Sequence, residues 1–319
     1  MDFRPTDDQL ALRTGVRELL ARRFDRAALR DAVERGGALD RALWRELGDA
    51  GFFALCLPET EGGVGLGLPE AVLLFEEAGR VLLPGPLVDT HLAAGEVKGA
   101  AEGEVVVTAP HGSLIAHLAD ADVVRGLPPE ELAAAEPVRA VDPLTPLHRL
   151  PGPPAHTGHA AGGSGATDGT GQAAARFGAA VLLTAAEQAG SASRTVEMAV
   201  QHACEREQFG QPIGGFQAVK HLCAQMLVRA EVARTAVYAA AVTGARAEIA
   251  GAKLLADEAA VRNARDCLQV CGGMGFTWES DVHLHLKRAW VRAARGPTRA
   301  ATEDELAADL LAGPSDAPR

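Results

Sequence analysis

The fold is decided by the stretch Arg206-Glu207-Gln208-Phe209-Gly210-Gln211-Pro212-Ile213. A second stretch completes it and reads Gln269-Val270-Cys271-Gly272-Gly273-Met274-Gly275-Phe276. Each stretch places a polar side chain and flexible backbone at the end of a helical pattern. Helix ends carry unpaired backbone groups and a partial charge, which suits them to hold an ion. The two stretches therefore predict a pair of helix ends that together grip an anionic cofactor.

Helical patterns surround both stretches. Apolar residues recur every three or four positions from Val181 to Cys204 and again from Phe216 to Val237, which is the spacing of one helix face. Further helices are predicted over Ala252–Cys271 and Ser280–Ala294. Long amphipathic helices with short connections favour an antiparallel four-helix bundle.

The N-terminal part of the chain is also predicted to be helical. Thr6 can cap a first helix, and a second is expected over Asp40–Ala50, where Gly51 stops it. The segment Leu57–Gly65 is predicted to be a turn-rich loop, because three glycines in four residues make regular structure costly. A further helix is expected over Pro69–Arg80.

The middle of the chain changes character. Short strands are predicted at Val105–Val107 and Ala121–Val124, with another within Val138–Leu150. The segment Pro151–Gln172 is rich in Gly, Pro, Ala, Thr and His without periodicity. Such a composition cannot bury enough apolar surface to order itself, so a flexible loop is predicted there.

Composition and charge restrict the class of protein. The 319 residues are 47% hydrophobic but only 4% aromatic, which favours helices packed through small residues. The formal net charge of −11 argues against nucleic acid as a partner, since phosphate binding needs a basic surface. Neither a signal peptide nor a run of about 20 apolar residues is visible, so we expect a soluble, cytoplasmic protein outside the membrane.

No metal site is predicted. The five cysteines include no C-x-x-C pair, and Cys267 and Cys271, four residues apart, are expected to pack on one helix face. Helical bundles that hold two iron ions use Glu-x-x-His motifs, which the sequence lacks.

The first stretch has the chemistry to bind a pyrophosphate. The planar guanidinium of Arg206 can pair with two phosphate oxygens. Gln208 offers an amide, and Phe209 offers a stacking face. Phe216 and Gln217 then open the next helix, whose N-terminal dipole also favours phosphate.

The second stretch allows backbone to approach the same ligand. Gly272 and Gly273 terminate a helix and have no side chains to keep a ligand away. Gln269 lies one turn earlier and can reach the same point.

Together, the two stretches resemble acyl-CoA dehydrogenases. The region from Glu187 to Arg288 is similar to the C-terminal helical domain of that family, and Trp44–Pro86 is similar to its N-terminal domain. The N-terminal likeness is carried by Trp44, Leu47, Gly51, Pro58, Glu59, Gly62, Gly63 and Gly65. The resemblance implies a mainly α fold, with an N-terminal helical domain (1–100), a shortened middle β region (101–175, containing the flexible loop 151–172) and a C-terminal antiparallel four-helix bundle (176–312).

The resemblance also implies FAD as the cofactor. In acyl-CoA dehydrogenases, residues at the corresponding positions contact the ADP half of an FAD that belongs mainly to the neighbouring subunit. The positions are Arg206, Gln208, Phe209, Phe216, Gln217, Gln269, Gly272 and Gly273.

The sequence departs from the family where the chemistry takes place. Complete members have a loop resembling T-E-P-x-x-G-S-D that holds the flavin ring, and residues 100–175 contain no such loop. The catalytic base of many members lies in a Y-E-G-T motif, but Val291–Thr298 has no carboxylate. Other members carry the base on the first bundle helix, where this chain has Ala179 or Ala180. No catalytic residue is therefore predicted, and Glu187 and Glu279 are expected to be structural.

These features suggest a degenerate subunit of a heteromeric acyl-CoA dehydrogenase. A full-length homologue would supply the flavin-ring pocket and the base, bind the acyl-CoA substrate and pass electrons to an electron-transfer flavoprotein. The region Gly275–Arg288 is similar to short actinobacterial members that act on bulky thioesters such as steroid side chains, so fatty acid or steroid side-chain catabolism is expected. Two alternatives remain open, an independent homo-oligomeric enzyme with an unrecognised base and a cofactor-free helical scaffold.

Overall fold

The computed structural model describes residues 5–151 and 169–312. Its described residues divide into two compact units, a first unit that begins at Thr6 and ends at Ala180, and a second unit that begins at Val181. Helices predominate in both, as predicted. The division into domains 1–100, 101–175 and 176–312 stays a prediction.

The first unit begins with helices. They are α1 (Asp7–Arg23), α2 (Arg26–Glu34), α3 (Arg41–Asp49), α4 (Leu68–Arg80) and α5 (Leu87–Ala93). Thr6 caps α1 as predicted, because its hydroxyl accepts from Gln9 N at 3.3 Å and Gln9 Oε1 accepts from Thr6 N at 2.9 Å. Asp40 caps α3, since its Oδ1 accepts from the backbone N–H groups of Ala42 and Leu43. The helices α2 and α5 were not predicted, since each is too short to show a clear apolar period.

Aromatic side chains form the core of the first unit. Trp44 of α3 is 1% exposed, and its ring centroid lies 4.7 Å from that of Phe53. Phe52 packs edge-on against Phe53 and also contacts Phe75 of α4. A Cβ added to Gly103 would lie 2.4 Å from the carbonyl oxygen of Trp44, so only glycine allows this approach.

The β region of the first unit contains strands of two or three residues. β1 (Val107–Thr108) pairs in parallel with β4 (Val123–Val124). The other strands form an antiparallel sheet in the order β2-β3-β6-β5, and α6 precedes β5. Their bounds are β2 (Pro110–His111), β3 (Leu114–Ala116), α6 (Pro129–Ala133), β5 (Glu136–Val138) and β6 (Leu147–Arg149).

A side chain takes the place of a neighbouring strand beside β1. The Thr90 hydroxyl donates to Val107 O and accepts from Val107 N, both at 3.0 Å. The backbone of β1 is thereby satisfied without a longer ladder. Each predicted strand overlaps a shorter observed one, β1 (at Val107 alone), β4 or β6, whereas β2, β3 and β5 were not predicted.

The second unit is a bundle of long helices. They are α7 (Gly169–Glu205), α8 (Gln217–Thr243), α9 (Arg246–Cys271), α10 (Val282–Ala293) and α11 (Arg299–Ala312). Of these, α7 already begins within the residues of the first unit. The first four match the predicted bundle helices, although α9 begins six residues earlier than expected, and α11 was not predicted. Alanines fill much of the buried surface, which confirms packing through small residues.

The predicted flexible loop 151–172 lies mostly outside the described residues, which resume at Gly169. From there the chain is already helical, because α7 begins at Gly169. The run Gln172–Ala175 consists of good helix formers, which explains why the helix extends into the segment expected to be loop.

Charged and polar side chains are buried midway along the bundle. Arg292 of α10 donates to Glu187 of α7 at 2.7 Å, and both side chains are about 4–5% exposed. Lys253 of α9 pairs with Asp257 one turn later and also donates to Arg292 O at 3.3 Å. Gln188 of α7 donates to Asp257 Oδ1 at 2.9 Å. We call Glu187, Gln188, Lys253, Asp257 and Arg292 the buried polar network.

Burial opposes charge within this network. Loss of water lowers the pKa of Lys253, although Asp257 beside it acts in the other direction. The same loss of water raises the pKa of the Asp257 carboxyl. The network therefore joins α7, α9 and α10 through buried charged groups. Each of these groups is stable in the interior only because its partner is there.

Across residues 5–151 and 169–312, none of the helices combines the length and the apolar character needed to cross a membrane.

Candidate functional site

The first predicted stretch forms a tight hairpin directly after α7. β7 (Glu207–Gln208) pairs with β8 (Gln211–Pro212) in antiparallel register. The two residues between them have φ values of +55° at Phe209 and +79° at Gly210. Positive φ at both central residues is typical of the type I′ turn, which matches the twist of a two-residue hairpin.

Phe209 occupies this turn at a cost. Asn, Asp and Gly are the residues that favour its first central position, and a bulky side chain at positive φ stores about 1–3 kcal/mol of strain. The Phe209 side chain is nevertheless 92% exposed, so burial does not compensate for the strain. Its ring meets that of Phe216 edge-on, at 6.1 Å between centroids. Strained residues with exposed side chains are typical of functional surfaces.

The hairpin leads into the N-terminus of α8. Ile213 N donates to Arg206 O at 2.8 Å, which closes the hairpin at its base. Phe216 precedes α8 and has no polar side-chain atom with which to cap it. The first N–H groups of α8, beginning at Gln217, therefore lack an acceptor within the helix and can serve an anion.

Arg206 lies between the end of α7 and this hairpin. Its side chain is exposed. No residue within the described ranges forms an ion pair with its guanidinium, although the chain has an excess of carboxylates. Gln208 and Gln217 are also exposed, and Gln208 donates to Glu207 O at 2.7 Å. The cation thus stands available beside free backbone donors.

The second predicted stretch closes α9. Gly272 has φ +58° and donates its N–H to Gln269 O. A Cβ added to Gly272 or Gly273 would meet no heavy atom within 4 Å, so this backbone faces open space. Gln269 is exposed on the last turn. A ligand could approach the backbone here without a side chain in between.

The two stretches lie at the same end of the bundle. Arg229 of α8 donates to Asn263 of α9 at 2.8 Å, and Asn263 donates to Met226 O at 2.9 Å, which fixes α8 and α9 side by side. They run antiparallel through the turn at Gly244, so the start of α8 lies at the end where α9 stops.

Three cysteines also connect the two stretches in space. Cys204 on α7 lies near Cys223 on α8, and Cys223 lies near Cys267 on α9. The structure thus brings the helix ends with all eight predicted site residues to one end of the bundle, which we call the open end.

The carboxylates considered as catalytic bases lie elsewhere. Glu187 is committed to Arg292 inside the bundle. Glu279 is exposed in the turn before α10. Of the predicted counterparts of the family's base, Ala179 is buried, and the stretch Val291–Thr298 contains no carboxylate. No cluster of three or more His, Cys, Asp or Glu side chains that could hold a metal ion occurs among the described residues.

The fold and the site together define a helical protein with an open bundle end where a cation and backbone N–H groups could hold an anion. Family models identify it further. The acyl-CoA dehydrogenase C-terminal domain matches residues 167–302, and the acyl-CoA dehydrogenase N-terminal domain matches residues 6–99. The chain belongs to the acyl-CoA dehydrogenase family.

Three known proteins illustrate the relationship. Acyl-CoA dehydrogenase IpdE2 of Mycobacterium tuberculosis is 34% identical over 303 residues, which cover 89% of this chain and 92% of IpdE2. Acyl-CoA dehydrogenase FadE34 of the same organism is 33% identical, with 96% of this chain aligned to 50% of FadE34. The structure of the ChsE4-ChsE5 complex, also from that organism, superposes with a TM-score of 0.79 at 21% identity and covers 99% of this chain and 100% of that one, which shows the shared fold.

FAD is the cofactor of this family, and the open end fits its ADP half. Arg206 offers a cation without an ion-pair partner in the described part of the chain, the start of α8 offers backbone donors, and Gly272 with Gly273 leaves room for a close approach.

Sequence reasoning missed two features near the site. The strain at Phe209 was not visible, because nothing in the letters Phe-Gly requires a two-residue hairpin. The contrast between buried Cys267 and half-buried Cys271 was also missed, although their spacing of four residues was noted.

Proposed function

We propose that this chain is a non-catalytic subunit of a heteromeric, FAD-dependent acyl-CoA dehydrogenase and completes the FAD site of a catalytic partner. One observation carries the proposal. The open end has every element for holding the ADP half of FAD, whereas both family positions for the base lack a carboxylate.

The charges at the open end support the first half of the proposal. A pyrophosphate placed between Arg206 and the start of α8 would meet a forked cation and free N–H groups. A charge-assisted contact of this kind contributes about 1.5–3 kcal/mol. Phe209, held exposed beside it, offers a stacking face for the adenine ring. The exposed amides of Gln208, Gln217 and Gln269 can hydrogen-bond the same half of the cofactor.

The positions of the carboxylates in the bundle support the second half of the proposal, that this chain is not catalytic. Desaturation requires a carboxylate to remove the α-proton of the acyl-CoA, while bound FAD accepts hydride from the β-carbon. Ala179 and Ala180 have no such group, and the segment after α10 has none. Glu187 cannot replace them, because Arg292 holds it as a buried ion pair. This chain positions the cofactor and leaves the proton transfer to its partner.

Two relatives are consistent with a paired arrangement. ChsE4-ChsE5 is a complex of two chains. FadE34 is about twice as long as the region that this chain matches. Both agree with a fold that functions beside a second copy of itself, here a full-length homologue that binds the acyl-CoA substrate. We further propose a cytoplasmic complex that acts on bulky thioesters such as steroid side chains and passes electrons to an electron-transfer flavoprotein.

Purification with and without a partner tests the proposal. Expressed alone, the chain should be colourless and inactive. Co-expressed with a full-length homologue from the same operon, it should elute as one yellow complex with fewer flavins than polypeptide chains. The ratio is measured from flavin absorbance against protein concentration.

The other outcomes identify the alternatives. A yellow, active preparation of this chain alone would establish the homo-oligomeric enzyme. A colourless complex with the right partner would favour the cofactor-free scaffold.

A further inference from the structure

The outward face of α8 is apolar and uncovered. Val228, Val232 and Val242 are between 46% and 62% exposed, and Thr235 between them is exposed as well. With the half-buried Ala239, these residues follow one another at spacings of four, three, four and three. That alternation keeps the residues on the side of a helix against which a second helix packs. We call Val228, Val232, Thr235, Ala239 and Val242 the α8 seam.

Charged side chains avoid the α8 seam. Those of the helix are Lys220, Arg229, Glu231 and Arg234. Arg229 pairs with Asp266 of α9, and Glu231 pairs with Arg234 beside the seam. The exposed residues of α9 are, by contrast, mainly charged, namely Arg246, Glu248, Arg262 and Arg265. Water covers such a face, whereas an exposed apolar face of this length indicates contact with another protein surface.

The rest of the chain cannot supply this cover. The seam stays exposed in the presence of all described residues. Residues 152–168 and 313–319 contain no Leu, Ile, Val, Met or Phe, so they lack the apolar side chains that would fit it. Residues 1–4 span at most about 14 Å when extended, whereas the seam is about 20 Å long. The partner surface therefore belongs to another molecule.

We propose that α8 packs antiparallel against α8 of a second copy of this chain. In an antiparallel pair, Val232 of one copy lies opposite Thr235 of the other, and Val228 lies opposite Ala239. Each valine thus meets a residue of equal or smaller size, which lets the helix axes approach to about 8 Å. The seam is its own complement, and the resulting contact is two-fold symmetric, which is the commonest form of association between identical chains.

The cations at the open end disfavour the parallel arrangement. Arg206 and Lys220 are exposed, and no residue in the described ranges forms an ion pair with either. Parallel helices would bring these like charges together and align the helix dipoles, and both effects oppose association. In the antiparallel pair, the two Lys220 residues are about 40 Å apart along the axis. The hairpin of each copy lies outside the overlap, so dimerisation leaves the proposed FAD site uncovered.

The contact is small, so the dimer is reversible. The two helices overlap from Ala224 to Thr243, over about 30 Å of length and 10 Å of width. This is roughly 300 Å² per copy, less than half of the ~800 Å² that each partner buries in a standard interface. We expect a dissociation constant on the order of 10–100 µM.

Sedimentation velocity on the isolated full chain tests the dimer. Across concentrations from about 1 to 300 µM, the wild type should shift from monomer to dimer by mass action. The measurement uses neither flavin nor a catalytic partner, so its outcome is independent of the proposed function. A chain that remains monomeric at the highest concentration would overturn the proposal.

A charge in the seam should abolish the dimer. Val232→Glu places two like charges beside the two-fold axis and should raise the dissociation constant by at least about tenfold. Leu255→Glu is the matched control, since it makes the same change at an exposed apolar position of α9. It should dimerise as the wild type does, and circular dichroism shows that both variants are folded. Equal dimerisation of the two variants would place the contact elsewhere and refute the proposal.

Two further measurements test the position and direction of the contact. Val232→Glu and Val232→Lys chains should each be monomeric and should dimerise when mixed, because residue 232 of one copy lies within about 5 Å, along the axis, of residue 232 of the other. A mixture that stays monomeric would remove Val232 from the contact. A short amine cross-linker should not join Lys220 to Lys220 in a mixture of isotope-labelled and unlabelled chains, and such a link would overturn the antiparallel pairing.

Discussion

Midway along the bundle, the helices α7, α9 and α10 bury charged side chains in pairs, whereas at the open end the same helices leave polar and aromatic side chains exposed. In the middle, Arg292 is held by Glu187, and Lys253 by Asp257. At the open end, no described residue pairs with Arg206, and Phe209 is strained and uncovered. The buried charges of the network all have partners, whereas the described residues offer the exposed Arg206 no charged partner and leave Phe209 without cover. The difference supports the proposal that the open end holds the ADP half of FAD.

Removing one member of the buried ion pair between Glu187 and Arg292 should give the largest change in stability. Arg292→Met leaves Glu187 buried without its cation, and we expect the free energy of unfolding to fall by about 3–5 kcal/mol. Urea unfolding followed by circular dichroism measures this. The double variant Glu187→Leu/Arg292→Met should recover most of the loss, since apolar groups can replace a buried pair. A loss below about 1 kcal/mol in the single variant would show that water reaches Glu187.

Removing a charge at the open end should change binding and leave folding unchanged. Arg206→Ala is expected to weaken FAD retention by about ten- to hundredfold, because one charge-assisted phosphate contact is lost. Flavin released on dilution of the complex is followed by fluorescence. Arg234→Ala on α8 is the matched control, since Arg234 forms only a surface pair with Glu231. Equal retention in both variants would remove Arg206 from the site.

Replacing Phe209 in the strained turn should change the stability of the chain and its retention of FAD in opposite directions. Asn is favoured at the first central position of a type I′ turn, so Phe209→Asn is expected to stabilise the chain by about 0.5–1 kcal/mol. The same change removes the exposed ring, and FAD retention should fall by up to about tenfold. Urea unfolding and flavin release are measured on the same preparation. A variant that loses stability would show that the contact with Phe216 outweighs the strain.

The smallest expected effect is a dependence of the unfolding free energy on pH, caused by Lys253 and Asp257. Because the folded pKa of Lys253 lies below its ordinary value of 10.5, the unfolded chain binds more protons between those two values. Stability contributed by neutral Lys253 is therefore present at high pH and lost as the pH falls through the folded pKa. Asp257 has a raised pKa, so its contribution is present below 3.8 and lost as the pH rises through the folded value.

These two signs make the charged pair weakest near neutral pH. The unfolding free energy of the wild type, measured relative to Lys253→Met/Asp257→Leu, should rise from pH 7 toward pH 10. A flat difference over this range would mean that the pair titrates as it does in water.

The long helices could be predicted from the sequence, but the contacts between them could not. The bundle helices could be predicted because their apolar residues keep one period over many turns. Helices α2 and α5 are too short for that, and the large apolar residues of α11 are three leucines near its end, which are too few to define a stripe. Lys253 and Asp257 look like a solvated helix face in sequence, because burial of a charge depends on which helices cover it. The eight site residues came from a family resemblance, and spacing alone did not give them.

The placement of the tryptophans gives each unit its own optical reporter. Trp44 is sealed in the first unit at 1% exposure, whereas Trp278, in the second, is 53% exposed and stacks on His283 with Lys287 over its ring. Emission from Trp44 should be blue-shifted and protected from iodide, while that of Trp278 should be quenched both by iodide and by a nearby flavin. With Trp290 replaced by Phe, a single fluorescence scan could then show whether heat opens the two units together or in turn.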